Sequence, residues 1–234
     1  MVVVAISSGN FSDHDTIGID RRIVDLRGTQ PKRVLFVPTA QHDPQSYVDV
    51  FSELYEGELG CDVRTLEVFD ESSRNRVDEL LDWASIVYVG GGSTDLLLAA
   101  WRAYGIDAKL LRLCQTDKVF CGMSAGAICW FDYGFANVGK VSPADPRPRY
   151  SEVSGLGLVP GTYSPHIESE LRMLSLVRHV EKTARPAYAA MDRTAICYAS
   201  GRIETLACDA AQSIYELTPD GGSVRVTQLP MTLV

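Results

Sequence analysis

The residues most able to do chemistry lie in one short stretch, Cys-Gly-Met-Ser-Ala-Gly-Ala at 121–127. Gly122, Ser124 and Gly126 carry the spacing G-x-S-x-G, after the apolar pair Val119-Phe120 and before Ile128-Cys129-Trp130-Phe131. That order predicts a short buried strand, a turn of small residues and a helix start. A side chain presented at such a turn needs a strained backbone, which neighbours without bulk permit. The Ser124 oxygen then stands clear of the sheet beside a helix N-terminus, whose free N–H groups favour negative charge. The alternative is a glycine-rich strand–helix corner with an idle serine.

A serine nucleophile needs a base, and the base needs an acid to hold its tautomer. The histidines are His14, His42, His166 and His179. His14 and His42 fall in polar turns, and His179, beside Arg178 within a helical stretch, is expected in solvent. His166 differs: it sits between a Gly/Pro-rich turn and a helix start, at a candidate strand end. For the acid, Asp132, Glu168 and Asp192 remain open. Asp132 follows the Ser124 helix. Glu168 falls in the first turn after His166, where an acid also suits the helix dipole. Asp192 lies between two short strands and also suits a plain turn.

The elements that must position these groups alternate regularly. Strands are expected at 2–6, 33–38, 63–68, 86–89 and 118–121, the first a continuous apolar run as in a buried parallel strand. Between them, residues 15–26, 47–59, 75–83, the stretch after Ser93 and residues 106–114 have helical spacing. The expected fold is α/β, a mostly parallel doubly wound sheet with helices on both faces. Sites in such sheets gather at strand carboxyl ends, so the Gly90-Gly91-Gly92 loop and Ser124 are expected to be neighbours. Residues 132–153 show no period and predict a long surface loop. A long helix is expected over 167–182. After Pro186, short runs separated by Ser200-Gly201 and Pro219-Asp220-Gly221-Gly222 predict antiparallel hairpins appended to the sheet. No repeat or linker interrupts the chain, so residues 1–234 form one domain.

Bulk composition excludes several classes. The 234 residues are 46% hydrophobic and 22% charged, which predicts a packed globular core. A net charge of −8 argues against a nucleic-acid or anionic-membrane surface. The six cysteines form no C-x-x-C pair and several lie in apolar runs, so they are expected reduced and mostly buried, in a cytoplasmic protein. No zinc spacing is present, and neither metal nor cofactor is expected.

Taken together, Gly90-Gly91-Gly92-Ser93-Thr94, the block from Gly122 to Ala127 with Trp130-Phe131, and Gly157-Leu158-Val159-Pro160-Gly161 with Pro165-His166 resemble the peptidase E family. These are serine aspartyl dipeptidases, with cyanophycinase relatives, on a class I glutamine-amidotransferase-like fold. The resemblance runs in order from Val2 to about Ala199. It implies Ser124 as nucleophile, His166 as base and Asp192 as acid, with the Gly91 and Ala125 N–H groups as oxyanion donors. It also implies a substrate contact at Arg172 and at Gly92. The implied activity is hydrolysis of short peptides, Asp-X dipeptides among them, through an acyl-enzyme. The departures are Ser7-Ser8-Gly9-Asn10 after the first strand, Ser93 in place of asparagine, Phe135-Ala136-Asn137-Val138 after the Trp-Phe pair, Ile167 after Pro-His, and Arg193 beside Asp192, where it is placed to neutralise the acid. Three other readings remain: a cyanophycin-type hydrolase of β-linked Asp-Arg, an α/β-hydrolase esterase on the same elbow, and a silent relative that binds a small ligand. The expected partner is a short peptide, with no nucleic acid and no membrane, and a homodimer is the candidate assembly.

Overall fold

The computed structural model describes residues 1–137, 149–168 and 170–234. The strands are β1 (Val2–Ile6), β2 (Arg33–Val37), β3 (Asp62–Thr65), β4 (Ile86–Val89), β5 (Val119–Met123), β6 (Phe131–Asn137), β7 (Tyr150–Ser154), β8 (Val159–Ser164), β9 (Ala187–Ala190), β10 (Thr194–Ala199), β11 (Arg202–Ala207), β12 (Ile214–Asp220), β13 (Ser223–Gln228) and β14 (Thr232–Leu233). The helices are α1 (Ile17–Asp25), α2 (Gln45–Ser52), α3 (Glu71–Arg74), α4 (Val77–Trp83), α5 (Thr94–Tyr104), α6 (Ile106–Leu113), α7 (Ala125–Ile128) and α8 (Glu170–Thr183).

The first sheet has the order β14-β11-β10-β1-β5-β4-β2-β3. Its centre, β1-β5-β4-β2-β3, is wholly parallel. Successive residues of these strands point to opposite faces, and both faces are buried along β1, β5, β4 and β2, whereas the edge strand β3 is partly exposed. Val87, Val89 and Phe120 pack with Leu97 and Trp101 of α5 on one side. Phe36, Tyr88 and Cys121 pack with Ile19 and Ile23 of α1 and Phe51 of α2 on the other. Helices thus cover both faces, as the alternating pattern predicts. All six cysteines are free.

The second sheet is a departure from expectation. β13-β12-β9-β8-β6-β7 form a separate six-stranded sheet, in which β6, β8 and β9 are parallel. The predicted surface loop over 132–153 is therefore wrong where its ends are described: β6 and β7 pair antiparallel, from Tyr133 with Ser154 to Asn137 with Tyr150. Gly134 lets β6 pass close to α7, since a Cβ there would meet Ile128 Cγ2 at 2.1 Å. The C-terminal hairpins divide: β10 and β11 extend the first sheet, whereas β12 and β13 join the second. One face of the second sheet shares a core with α5 and α7 through Phe131, Val159 and Tyr163. Its other face is covered by Leu176 and Val180 of α8. His179 is held rather than solvated: its ring lies against Phe135 and Nε2 is 3.0 Å from Glu152. Among the described residues no helix is long and apolar enough to cross a membrane.

One buried charge in this frame makes stability depend on pH. Asp20 of α1 is fully buried, and accepts from Tyr55 Oη at 2.7 Å and Thr16 Oγ1 at 2.9 Å. Burial pushes its carboxyl up to about 6, against the lowering effect of the two hydroxyls. A raised carboxyl is proton-bound more tightly in the folded chain. Its contribution is therefore full below pH 4 and lost as pH rises through 6, by about 3 kcal/mol. Urea denaturation at pH 4 and pH 7 should show that difference between wild type and Asp20→Asn, with the variant lacking this part of the slope. Parallel pH profiles for the two proteins would contradict it.

Candidate active site

Ser124 follows β5 and precedes α7, with φ 54° and ψ −110°. A non-glycine residue in this region is strained, and it persists only where its surroundings fix it. The flanking glycines do so. A Cβ on Gly122 would lie 2.3 Å from Gly126 O, and one on Gly126 would lie 2.1 Å from Val89 O. Both obstacles are backbone, so neither can give way. Gly126→Ala should destabilise the fold by about 3 kcal/mol, the upper range for overpacking, measured by urea denaturation. A loss under about 1 kcal/mol would show that the elbow tolerates bulk.

The second sheet brings the other groups. β8 and β9 are parallel neighbours, with Ser164 opposite Ala189. Two residues beyond β8 stands His166, and two beyond β9 stands Asp192. His166 Nε2 lies 2.9 Å from Ser124 Oγ. His166 Nδ1 lies 2.8 Å from Asp192 Oδ1. An ionised carboxylate only accepts, which assigns the ring hydrogen to Nδ1 and leaves Nε2 bare to accept from the Ser124 hydroxyl. Burial pushes the Asp192 carboxyl up, but the hydrogen bond and charge of His166 and the Ser8 hydroxyl outweigh it, and the carboxyl is held below its ordinary range. Arg193 adds a smaller lowering effect and does not neutralise the acid by contact; its guanidinium pairs with Asp209 at 3.6 Å.

Ser7, fully buried at the end of β1, joins the two sheets. Its hydroxyl accepts from His166 N at 3.0 Å and donates to Ala190 O at 3.0 Å. One side chain thus fixes both loops that carry the imidazole and the carboxylate. Two serines after a strand gave no signal of this role, because the partners lie 159 and 183 residues away in sequence.

The other candidates fall elsewhere. Glu168 accepts the Asp192 N–H, whereas the carboxylate that meets the imidazole is that of Asp192. Asp132 accepts from Gly161 N at 3.1 Å, at the start of β8 and away from the imidazole. Arg172 does not line the cleft: it is 7% exposed, donates to Ser164 Oγ and Phe135 O at 3.1 and 2.8 Å, and lies over the Tyr150 ring. Gly91 and Ser124 are neighbours, since a Cβ on Gly91 would sit 3.4 Å from Ser124 Cβ. The Gly91 N–H, however, is engaged by Tyr47 Oη at 3.1 Å. Ala125 opens α7, so its N–H has no partner within the helix. A cleft of about 500 Å³ opens onto Ser124 and His166, walled in part by Ser8, Asn10, Ser12, Gln41, Ser46 and Gly92.

The family model for peptidase family S51 matches residues 3–206. The chain belongs to peptidase family S51. This S51 peptidase is 30% identical over 187 residues to the uncharacterized peptidase YgaJ of Bacillus subtilis, covering 80% of the chain and 72% of that protein. An uncharacterized peptidase of Listeria monocytogenes is 33% identical over 101 residues, 42% of the chain and 48% of that protein. Among solved structures, a peptidase from an acI-B1 Actinobacterium superposes with a TM-score of 0.69 at 16% identity, over 98% of this chain and 94% of that one. A putative peptidase E protein from Listeria monocytogenes gives 0.63 at 23% identity, over 87% and 96% of the two chains. The two structures support the fold, and the family match makes the protein a peptidase. It also removes the α/β-hydrolase esterase, to which the Ser…His…Asp order of the hydrogen-bonded groups is foreign as well.

Proposed function

We propose that this S51 peptidase is a serine-type enzyme that hydrolyses short peptides through an acyl-enzyme at Ser124. The observation that carries this reading is the continuous path Ser124 Oγ–His166 Nε2, His166 Nδ1–Asp192 Oδ1, at 2.9 and 2.8 Å, on a strained turn that faces an open cleft.

In this reading His166 Nε2 takes the hydroxyl proton as Ser124 Oγ bonds to the peptide carbonyl carbon. The carbonyl pair moves onto oxygen, where the Ala125 N–H on one side and the Gly91 loop on the other receive the charge. Removal of one such donor costs roughly 3 kcal/mol of barrier. The imidazolium then protonates the leaving amine, and water repeats the sequence on the ester. Asp192 keeps the ring oriented and stabilises its charge throughout. No step asks for a metal or an organic cofactor.

The cleft sets the substrate. Its volume of about 500 Å³ lies within the range of small-molecule sites and suits a few residues of extended peptide. Among the described residues its walls carry hydroxyls and amides, and neither lysine nor arginine. Arg172, where the resemblance implies a substrate contact and where a cation would suit a substrate aspartate, is committed to Ser164 and Phe135. The reading therefore favours an uncharged polar residue before the scissile bond over an aspartate. A panel of matched dipeptides tests it, with Asn-X, Ser-X, Asp-X and β-linked Asp-Arg side by side. Higher kcat/KM for Asn-X and Ser-X is the expected result. Preference for Asp-X would overturn the substrate assignment, preference for β-linked Asp-Arg would make the protein a cyanophycin-type hydrolase, and no hydrolysis at all would favour the silent ligand-binding relative.

A further inference from the structure

Among the described residues Tyr47 is the one aromatic hydroxyl in the cleft wall, and it holds the backbone group expected to meet the reacting oxygen. The Gly91 N–H donates to Tyr47 Oη at 3.1 Å. The Tyr47 hydroxyl thereby accepts, and its own hydrogen has no acceptor among the described residues. The ring is also fixed. It stacks on Phe11 with centroids 5.7 Å apart and meets the edge of Phe36 at 5.2 Å. It lies so close over the glycine loop that a Cβ on Gly90 would come within 2.7 Å of Tyr47 Cε1. A ring held on three sides keeps its hydroxyl on Gly91, so that N–H is not free to turn to a substrate.

We propose that Tyr47 is a catalytic residue of this site, whose O–H, polarised by the Gly91 N–H, donates a hydrogen bond to the oxyanion opposite the Ala125 N–H. The inference rests on the acyl-enzyme reading above and names the second donor of that reaction. A hydroxyl that accepts one hydrogen bond becomes a better donor in another. Burial pushes the phenol above its ordinary range, against the smaller lowering effect of the Gly91 N–H, so it keeps its proton as charge grows nearby. The balance of the step is unchanged. The Ser124 oxygen–carbon bond forms, the carbonyl pair moves to oxygen, the serine proton goes to His166 Nε2, and Tyr47 only donates a hydrogen bond. Gly90 then has a reason to be glycine, because bulk there would push the ring off its seat.

The test is Tyr47→Phe in the full chain, which keeps the ring and removes only the hydroxyl. Peptide hydrolysis is resolved into kcat and KM, and the final stoichiometry of fluorophosphonate labelling and the melting temperature are recorded alongside. The expected result is a fall in kcat of roughly 10²-fold, the lower figure for losing one oxyanion donor, with KM little changed and full labelling at long times. Equal kcat overturns the inference. So does a rise in kcat/KM, which would show that the phenol blocks Gly91 rather than acting through it. Where loss of the hydroxyl unsettles the fold, 3-fluorotyrosine at position 47 preserves the shape and strengthens the donor: kcat should rise, and a fall would overturn the inference. A wild-type protein that neither hydrolyses peptide nor takes the label fails the acyl-enzyme reading itself. A wild type that does both, beside an equally active Tyr47→Phe variant, fails the Tyr47 assignment alone.

Discussion

Ser124→Ala is expected to lower peptide turnover by on the order of 10⁶-fold, the scale on which a nucleophile, base and acid that act as one unit fail when one is lost. The magnitude follows from cooperation rather than from any single contact. Without Oγ, His166 has no proton to move and the bond that defines the intermediate cannot form. What remains is the stabilisation of an oxyanion raised by water, from the Ala125 N–H and the Gly91 loop opposite it. Binding should survive, because the hydroxyls and amides of the wall are untouched, so the loss should fall on kcat and leave substrate affinity nearly intact. The fold should survive too, since alanine is strained no more than serine at the φ of 54° found there. Kinetics on a matched dipeptide, with the affinity of the inactive variant taken by calorimetry, separate these effects. A variant that keeps even a hundredth of wild-type turnover would remove Ser124 from the reaction.

Asp192→Asn should be nearly as damaging, at roughly 10⁴-fold in kcat. The reason is the direction of one hydrogen. Asp192 accepts from His166 Nδ1 at 2.8 Å, which leaves Nε2 bare toward Ser124. An asparagine amide turned with its NH2 toward the ring donates to Nδ1 and moves the ring hydrogen to Nε2. The imidazole then faces the serine with a hydrogen instead of a lone pair. Glu168 provides the control, because its carboxylate accepts the Asp192 N–H and, among the described residues, makes no hydrogen bond to the imidazole. Glu168→Gln should cost less than about 10-fold, as expected for loss of a supporting contact rather than of the acid. The opposite ranking, with Glu168→Gln the worse variant, would exchange the two roles.

Much of this was legible in the residues, for reasons the structure makes physical. G-x-S-x-G can be read because a Cβ on Gly122 or on Gly126 would run into backbone. The parallel sheet can be read because strands buried on both faces are apolar without a break, as in Val34-Leu35-Phe36-Val37. His166 stood out through the Gly/Pro turn before it. Asp192 did not stand out from its own surroundings, where a turn acid between two strands is commonplace; the resemblance supplied it. The second sheet was hidden because β6 reads Phe-Asp-Tyr-Gly-Phe-Ala-Asn, which keeps neither an unbroken apolar run nor a clean alternation. Residues 138–148, in the middle of the expected loop, lie outside the described residues.

Ser7, Ser8 and Tyr47 were missed for a different reason. Each makes its contact with the site between elements far apart in the chain, and nothing in the local sequence marks such a contact. Ser7 looks like the polar end of a strand until β9 and the His166 loop arrive on it. Tyr47 fits the amphipathic pattern of α2 as an ordinary inward-facing aromatic, and only its distance to Gly91 sets it apart. Arg172 shows the converse. A cation one turn into the helix after His166 suits a substrate carboxylate on paper, yet its guanidinium is buried against the strand ends and serves the fold.

The most direct test is the mass of the protein after treatment with a fluorophosphonate, followed by peptide mapping. One adduct per chain is expected, carried by Ser124, formed by wild type and lost in His166→Ala. An unmodified chain, or an adduct elsewhere on a protein that still hydrolyses peptides, would contradict it.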